Sequence, residues 1–140
     1  SIFLNFAKDI ADMIMDRVKT EDAIPYWDYD APVTKETPRD VSAASVTASA
    51  MIELSTMVPD GQKYLDYAEK ILKSLSSDAY LAKVGDNQGF ILMHSVGSLP
   101  NGSEIDTPLN YADYYYLEAL KRFMELKKLR VENGELRVIQ

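Results

Sequence analysis

Residues 42–50 read SAASVTASA. Every residue but Val46 is small, so a helix built from this stretch lets other helix backbones approach closely on several sides. Asp40 precedes it as an N-cap, because a carboxylate can take the unpaired first-turn amides. Met51, Ile52 and Leu54 then add bulk. The spacing predicts a helix buried on more than one side. Pro59–Gly61 ends it, and Asp60 is expected to cap the next helix. That helix carries Leu65, Ala68, Ile71, Leu72 and Leu75, an i, i+3, i+6, i+7, i+10 stripe. Two helices joined through Pro-Asp-Gly form an αα-hairpin.

Two further helices are predicted. Residues 2–18 place Phe3, Phe6, Ile10, Met13 and Ile14 at helical spacing, with Lys8, Asp9, Asp12, Asp16 and Arg17 largely on other faces. Ser1 opens directly into this pattern, so the chain reads as a piece of something longer. The last helix is expected over about 108–128, started by Thr107 as cap and Pro108 at the first helical position. Tyr111, Tyr114, Tyr115, Leu117, Leu120, Phe123 and Met124 are its apolar residues. A short helical turn is expected at 78–84, and FILMHSV after Gly89 as an extended or irregular segment. The tail LRVENGELRV alternates around Asn133-Gly134, a hairpin signal. The domain division is 1–128 for the helical part and 129–140 for the tail.

Composition bounds the function classes. The 140 residues are 46% hydrophobic and 26% charged, with a net charge of −7. That suits one globular core. No basic face marks a nucleic-acid binder, and no apolar run reaches the roughly 18 residues of a membrane span. Cysteine is absent and His94 is the single histidine. Thiolate and His-cluster metal sites are therefore not expected, and neither is a cofactor. Neither a cytoplasmic nor a periplasmic address is marked.

Two loops carry the chemistry. Residues 25–40 read PYWDYDAPVTKETPRD, and residues 94–116 read HSVGSLPNGSEIDTPLNYADYYY. Both are Pro/Gly-punctuated, rich in aromatics and carboxylates, and run straight into helices. Aromatic faces stack on sugar rings, and carboxylates, hydroxyls and amides take the polar groups, so the pattern suits a carbohydrate-binding rim. Trp27 is a stacking platform or, equally, a gap-filling ring. Asp28 and Asp30, at i and i+2, more readily cap the loop and pair with Arg39 than flank a substrate as a glycosidase pair. His94 lacks the nucleophile turn of a serine hydrolase and reads as a hydrogen-bonding rim residue or a satisfied structural histidine. Gly97 and Gly102 allow close approach, and Gly102, Ser103 and Glu104 can present amides and a hydroxyl to an anion. Asp106 reads as a helix capper. Of Tyr111, Tyr114, Tyr115 and Tyr116, at most two can face one pocket.

The ordered set PYWDYDAP, PRDVSAAS, HSVG and PNGSEIDTPLNYADYYYLEAL resembles glycoside hydrolase family 88, the unsaturated glucuronyl hydrolases, over its C-terminal part. A family acting on unsaturated rhamnogalacturonides shares the toroid and is the nearest confounder. The resemblance implies an all-α fold, a partial (α/α)6 barrel with about five helices of the toroid. It implies hydrolysis of unsaturated uronyl oligosaccharides released by polysaccharide lyases in bacteria. There an Asp protonates C4 of the vinyl ether, water adds at C5, and no metal takes part. The two catalytic aspartates belong to motifs absent from this chain, so the resemblance implies no catalytic residue here. It implies that Trp27, Asp28, His94, Ser95, Gly97, Ser103 and Glu104 line the substrate cleft. Leu99 departs from the family pattern, where many members carry a polar or aromatic residue. An open arc of a barrel also implies self-association or a missing N-terminal part of the barrel. The other readings are a non-catalytic carbohydrate-binding module and a helical interaction module.

Overall fold

A computed structural model of the protein describes residues 1–132. Its elements in chain order are α1 (Ile2–Arg17), α2 (Val41–Ser55), α3 (Gln62–Leu75), β1 (Ser95–Ser98), β2 (Ser103–Thr107) and α4 (Asn110–Glu132), with short 3-10 turns at Asn87–Gly89 and Leu99–Asn101. Helix α2 is the centre. It packs chiefly against α3 and α4, and more lightly against α1 and β1. Val41, Ser42, Ala44, Ser45, Ala48, Ser49, Met51, Ile52 and Leu54 are all buried, as expected of a helix enclosed on several sides. Its buried hydroxyls are satisfied: Ser45 donates to the Ser42 carbonyl at 3.0 Å, and Ser49 to Glu118 at 2.6 Å.

The stripe on α3 is buried as its spacing predicts, with Tyr64 added to Leu65, Ala68, Ile71, Leu72 and Leu75. Each large aliphatic side chain removed from water here contributes about 1.5–3 kcal/mol. Helix α4 turns Ala112, Tyr116 and Ala119 inward, and Leu120, Phe123 and Leu126 pack at the core's margin. The small alanines of α4 meet the small face of α2, which is what permits the close contact. Tyr111, Tyr114, Leu117 and Met124 are exposed instead. Arg122 ties the two helices by donating to the Ser49 carbonyl and hydroxyl, both at 3.0 Å, and pairing with Glu53 at 3.0 Å.

Several expectations are corrected. The fold is mostly helical, as expected, but it holds an internal hairpin that was expected as loop: β1 and β2 pair antiparallel in a two-stranded sheet. The stretch from residue 94, read as a loop, holds that hairpin: Leu99–Gly102 is its turn, with Gly102 left-handed at φ 65, the freedom expected of this glycine. Thr107 ends β2, and α4 starts at Asn110, two residues past Pro108. The first arm of the expected tail hairpin, residues 129–132, continues α4, and the rest of that tail lies outside the described residues. Residues 77–81 make a single helical turn, with the Leu81 amide donating to the Ser77 carbonyl at 2.8 Å, and an isolated bridge from Leu81 to Leu92 ends it short of residue 84. Asp60 does not cap α3. It pairs with Lys8 at 3.0 Å and draws α1 toward the α2–α3 turn, while Gly61 occupies the cap position without a side-chain bond.

Helix α1 forms as predicted, but its apolar face is mostly open. Phe3 is 83% and Phe6 64% exposed, and only Ala11 is buried. Leu4, Ile14 and Met15 pack against the core beside Ala11, and polar ties add to the docking: Asp12 accepts from Tyr64 at 2.9 Å and from Lys63 at 2.7 Å.

Gly61 is required by close approach. A Cβ there would stand 2.0 Å from the Ser55 carbonyl oxygen, a backbone atom that cannot swing aside. Gly61→Ala is expected to destabilise the chain by about 1–3 kcal/mol. Urea unfolding would show a lower midpoint at unchanged slope; an unmoved midpoint would refute the account of this turn.

Candidate functional site

The two loops meet at Asp40. Its Oδ1 accepts from the Ser42 amide at 3.0 Å, the Ser42 hydroxyl at 2.7 Å and the Val96 amide at 3.2 Å. The Asp40 amide donates to the Pro25 carbonyl at 2.9 Å, and the Val41 amide donates to the His94 carbonyl at 3.1 Å. The cap of α2 thus fixes the first loop, β1 and the residue before β1 in one place.

Inside the first loop, Tyr26 and Arg39 form an isolated antiparallel bridge, and the Trp27 amide donates to the Pro38 carbonyl at 3.1 Å. The Arg39 guanidinium lies 4.5 Å over the Tyr26 ring. It donates to the Ile24 carbonyl and pairs with Asp22 at 3.1 Å. This corrects the expected pairing with Arg39, since Asp30 pairs with Arg17 instead; the expected capping holds at Asp28, which accepts from the Asp30 amide at 2.7 Å. Asp22 is the residue that sequence reading passed over. It also accepts from the Ile24 amide at 3.1 Å and from the Tyr80 hydroxyl at 2.6 Å. The available signal was the Asp-x-Ile spacing, where a carboxylate bonds the amide two residues on.

Burial alone would raise the Asp22 pKa. The hydrogen bonds from Tyr80 and Ile24 and the Arg39 charge outweigh it and hold the carboxyl below its ordinary value. Burial, followed by the bond to Asp22, pushes the Tyr80 hydroxyl well above its ordinary value.

In the second loop, His94 Nδ1 lies 2.5 Å from Asp106 Oδ1. The Tyr80 ring stands edge-on to the imidazole, with centroids 6.2 Å apart. His94, Glu104 and Asp106 all have left-handed backbone, at φ 72, 52 and 50. Gly97 stands beneath Glu104: a Cβ there would meet the Glu104 carboxylate at 2.0 Å. Ser95 is fully buried, and its hydroxyl finds no partner.

Two cavities adjoin here. One of about 450 Å³ is lined by Arg17, Lys19, Tyr26, Asp28, Tyr29 and Arg39 among others. The other, about 440 Å³, is lined by Lys35, Glu36, Arg39, Tyr80, His94 and Asp106 among others. Arg39 walls both. Asp28 therefore faces the first and His94 the second, while Trp27, half-buried, lines neither. Gly97, Ser103 and Glu104 are exposed on the hairpin beside the second. Among the described residues, no group of three or more His, Asp or Glu is arranged to hold a metal, and no helix is long and apolar enough to cross a membrane.

No family model matches the chain. Individual proteins do. It is 48% identical over 106 residues to an unsaturated glucuronyl hydrolase of Formosa agariphila, which is 76% of this chain and 26% of that protein. It is 32% identical over 123 residues to an unsaturated glucuronyl hydrolase of a Bacillus species, 85% of this chain and 32% of that one. The crystal structure of an unsaturated glucuronyl hydrolase specific for heparin matches with a TM-score of 0.87 and 61% identity, covering 90% of this chain and 34% of that chain. A mutant unsaturated glucuronyl hydrolase of Streptococcus agalactiae, complexed with dGlcA-GalNAc6S, matches at 0.73 and 30% identity over 81% of this chain and 30% of that one.

These proteins are carbohydrate hydrolases, and the likeness runs along most of this chain. The family it resembles is glycoside hydrolase family 88, the unsaturated glucuronyl hydrolases, as the four ordered motifs imply. The chain spans about a quarter to a third of the length of the relatives it matches.

The Asp22–Tyr80 bond has a two-sided pH dependence. Asp22 has a lowered folded pKa, so its contribution is complete above the ordinary 3.8 and lost as pH falls through the folded value. Tyr80 has a raised one, so its contribution is complete below the ordinary 10.0 and lost as pH rises through the folded value. The stability gap between wild type and Tyr80→Phe is expected to be widest near neutrality and to close at both extremes. Urea midpoints across pH measure it; a gap independent of pH would contradict the coupling.

Proposed function

We propose that this chain is the C-terminal part of an unsaturated glucuronyl hydrolase, an open arc of its (α/α)6 barrel, and that its two loops form one side of the substrate cleft. The observation that carries the reading is the 0.87 TM-score at 61% identity to a heparin-specific unsaturated glucuronyl hydrolase, over 90% of this chain but only 34% of that one. The open apolar face of α1, with Phe3 and Phe6 in solvent, fits an arc whose neighbour is not part of the chain.

In this proposal the substrate is an unsaturated uronyl oligosaccharide left by a polysaccharide lyase, and a heparin-derived disaccharide is the first to try. Of the expected cleft residues Trp27 lines neither cavity; the others, Asp28, His94, Ser95, Gly97, Ser103 and Glu104, have unequal roles. His94 and Asp28 reach the ligand from the two cavities, with Arg39 between them to meet a carboxylate or sulfate. Gly97 and buried Ser95 shape the hairpin that presents Ser103 and Glu104. The carboxyl groups that protonate the vinyl ether and activate water belong to the remainder of the enzyme. Neither Asp22, engaged by Tyr80 and Arg39, nor Asp40, engaged by Ser42 and Val96, is free for that task.

The test has two arms. Titration calorimetry of the chain with lyase-generated heparin disaccharide is expected to show saturable binding, weakened about tenfold by His94→Ala, a loss of the size of one hydrogen bond. No binding would remove the cleft reading. The chain alone is expected to leave the uronide's ultraviolet absorbance unchanged; turnover by these 140 residues would overturn the placement of the catalytic carboxyls elsewhere.

A further inference from the structure

We infer that Asp106 is a positioning residue, which holds the His94 imidazole with its Nδ1–H donated to the carboxylate and leaves Nε2 as an acceptor for a sugar hydroxyl in the cavity between Arg39 and Tyr80. The inference rests on the uronide-cleft reading above and assigns a role within it.

Three constraints act on one ring. Asp106 Oδ1 is 2.5 Å from Nδ1. The Tyr80 ring meets it edge-on at 6.2 Å, and Tyr80 is itself tied down by Asp22 at 2.6 Å. The His94 carbonyl is held by the Val41 amide at the start of α2. Ring, side chain and backbone are therefore all oriented from rigid elements, as a binding group requires.

The backbone shows what this orientation costs. His94 and Asp106 both adopt left-handed φ, at 72 and 50, and the register between β1 and β2 slips at Ser95/Val96 just beside them. Such conformations are unfavourable for residues other than glycine, though Asp and His tolerate them better than most. The pair itself is too open to repay that through stability, because the His94 side chain is 42% and the Asp106 side chain 61% accessible. Both residues line the same cavity, together with Arg39, Lys35 and Glu36. Strain gathered on an exposed pair at the wall of a polar cavity is accounted for by orientation of a group toward a ligand. In the neutral ring, a carboxylate on Nδ1 fixes the proton there, so the other nitrogen accepts.

His94 is the single histidine, so an imidazole nitrogen NMR spectrum of the intact chain reports this ring alone. In mildly alkaline solution the wild type is expected to show one tautomer, with a protonated Nδ1 and a bare Nε2. Asp106→Ala is expected to lose that fixed tautomer and to weaken binding of the lyase-generated disaccharide about tenfold. Asp106→Asn keeps an acceptor oxygen and is expected to restore the tautomer and most of the affinity. A merely structural role would move none of these while leaving the fold, checked by circular dichroism, intact. A wild-type ring protonated at Nε2, or a tautomer untouched by Asp106→Ala, overturns the positioning role. A fixed Nδ1–H tautomer whose Nε2 signal is unmoved by millimolar disaccharide in both proteins overturns the uronide reading of the cavity instead, and the sugar-acceptor role with it.

Discussion

One oxygen of Asp40 holds the site together. It caps α2, satisfies the Ser42 hydroxyl and takes the Val96 amide from a strand 56 residues further on. Asp40 is itself only 8% exposed. Withdrawing a buried acceptor leaves donors unpaired, at a cost of about 1–3 kcal/mol for such a group. The larger consequence is geometric. Without this oxygen, β1 loses its side-chain tie to the helix start, and the backbone bonds from Asp40 to Pro25 and from Val41 to His94 are left to hold the two loops there.

The helical frame beneath it follows from side-chain size. The small residues of α2 admit α3 and α4 on different sides, and the alanines at 112 and 119 complete the contact from the α4 side. The same economy recurs at Gly61, where the α2–α3 turn has no room for a Cβ. A helix that gives up large side chains gains proximity, and the polar ties from Arg122 to Ser49 and Glu53 then fix the register of the pair.

Much of this was legible in the sequence. The enclosed helix, the α3 stripe and the Asp40 cap follow from local patterning, and the ordered motifs point to the family that the relatives bear out. The misses have a common physical origin, which is that a long-range partner outbid a local rule. Asp60 is well placed to cap α3, but Lys8 of α1 takes it. Arg39 has Asp28 and Asp30 nearby in sequence, yet pairs with Asp22, 17 residues back. Thr107 has the form of a helix cap, but the pairing with Ser95 keeps it in a strand. β2 is exposed on both faces up to Thr107, so no alternation of polar and apolar residues announces that strand. The α1 stripe was readable as apolar, but its exposure depends on what packs there, and that is a property of neighbours rather than of residues 2–18.

Arg39 forms a wall of both cavities, and its guanidinium rests on a single aromatic face between them. A molecule that drew this side chain toward one cavity would thereby enlarge the other and lower its positive charge. Occupancy on one side then alters affinity on the other, and reciprocity requires the two effects to be equal in free energy. A one-residue partition of this kind would make the two cavities a coupled pair of compartments.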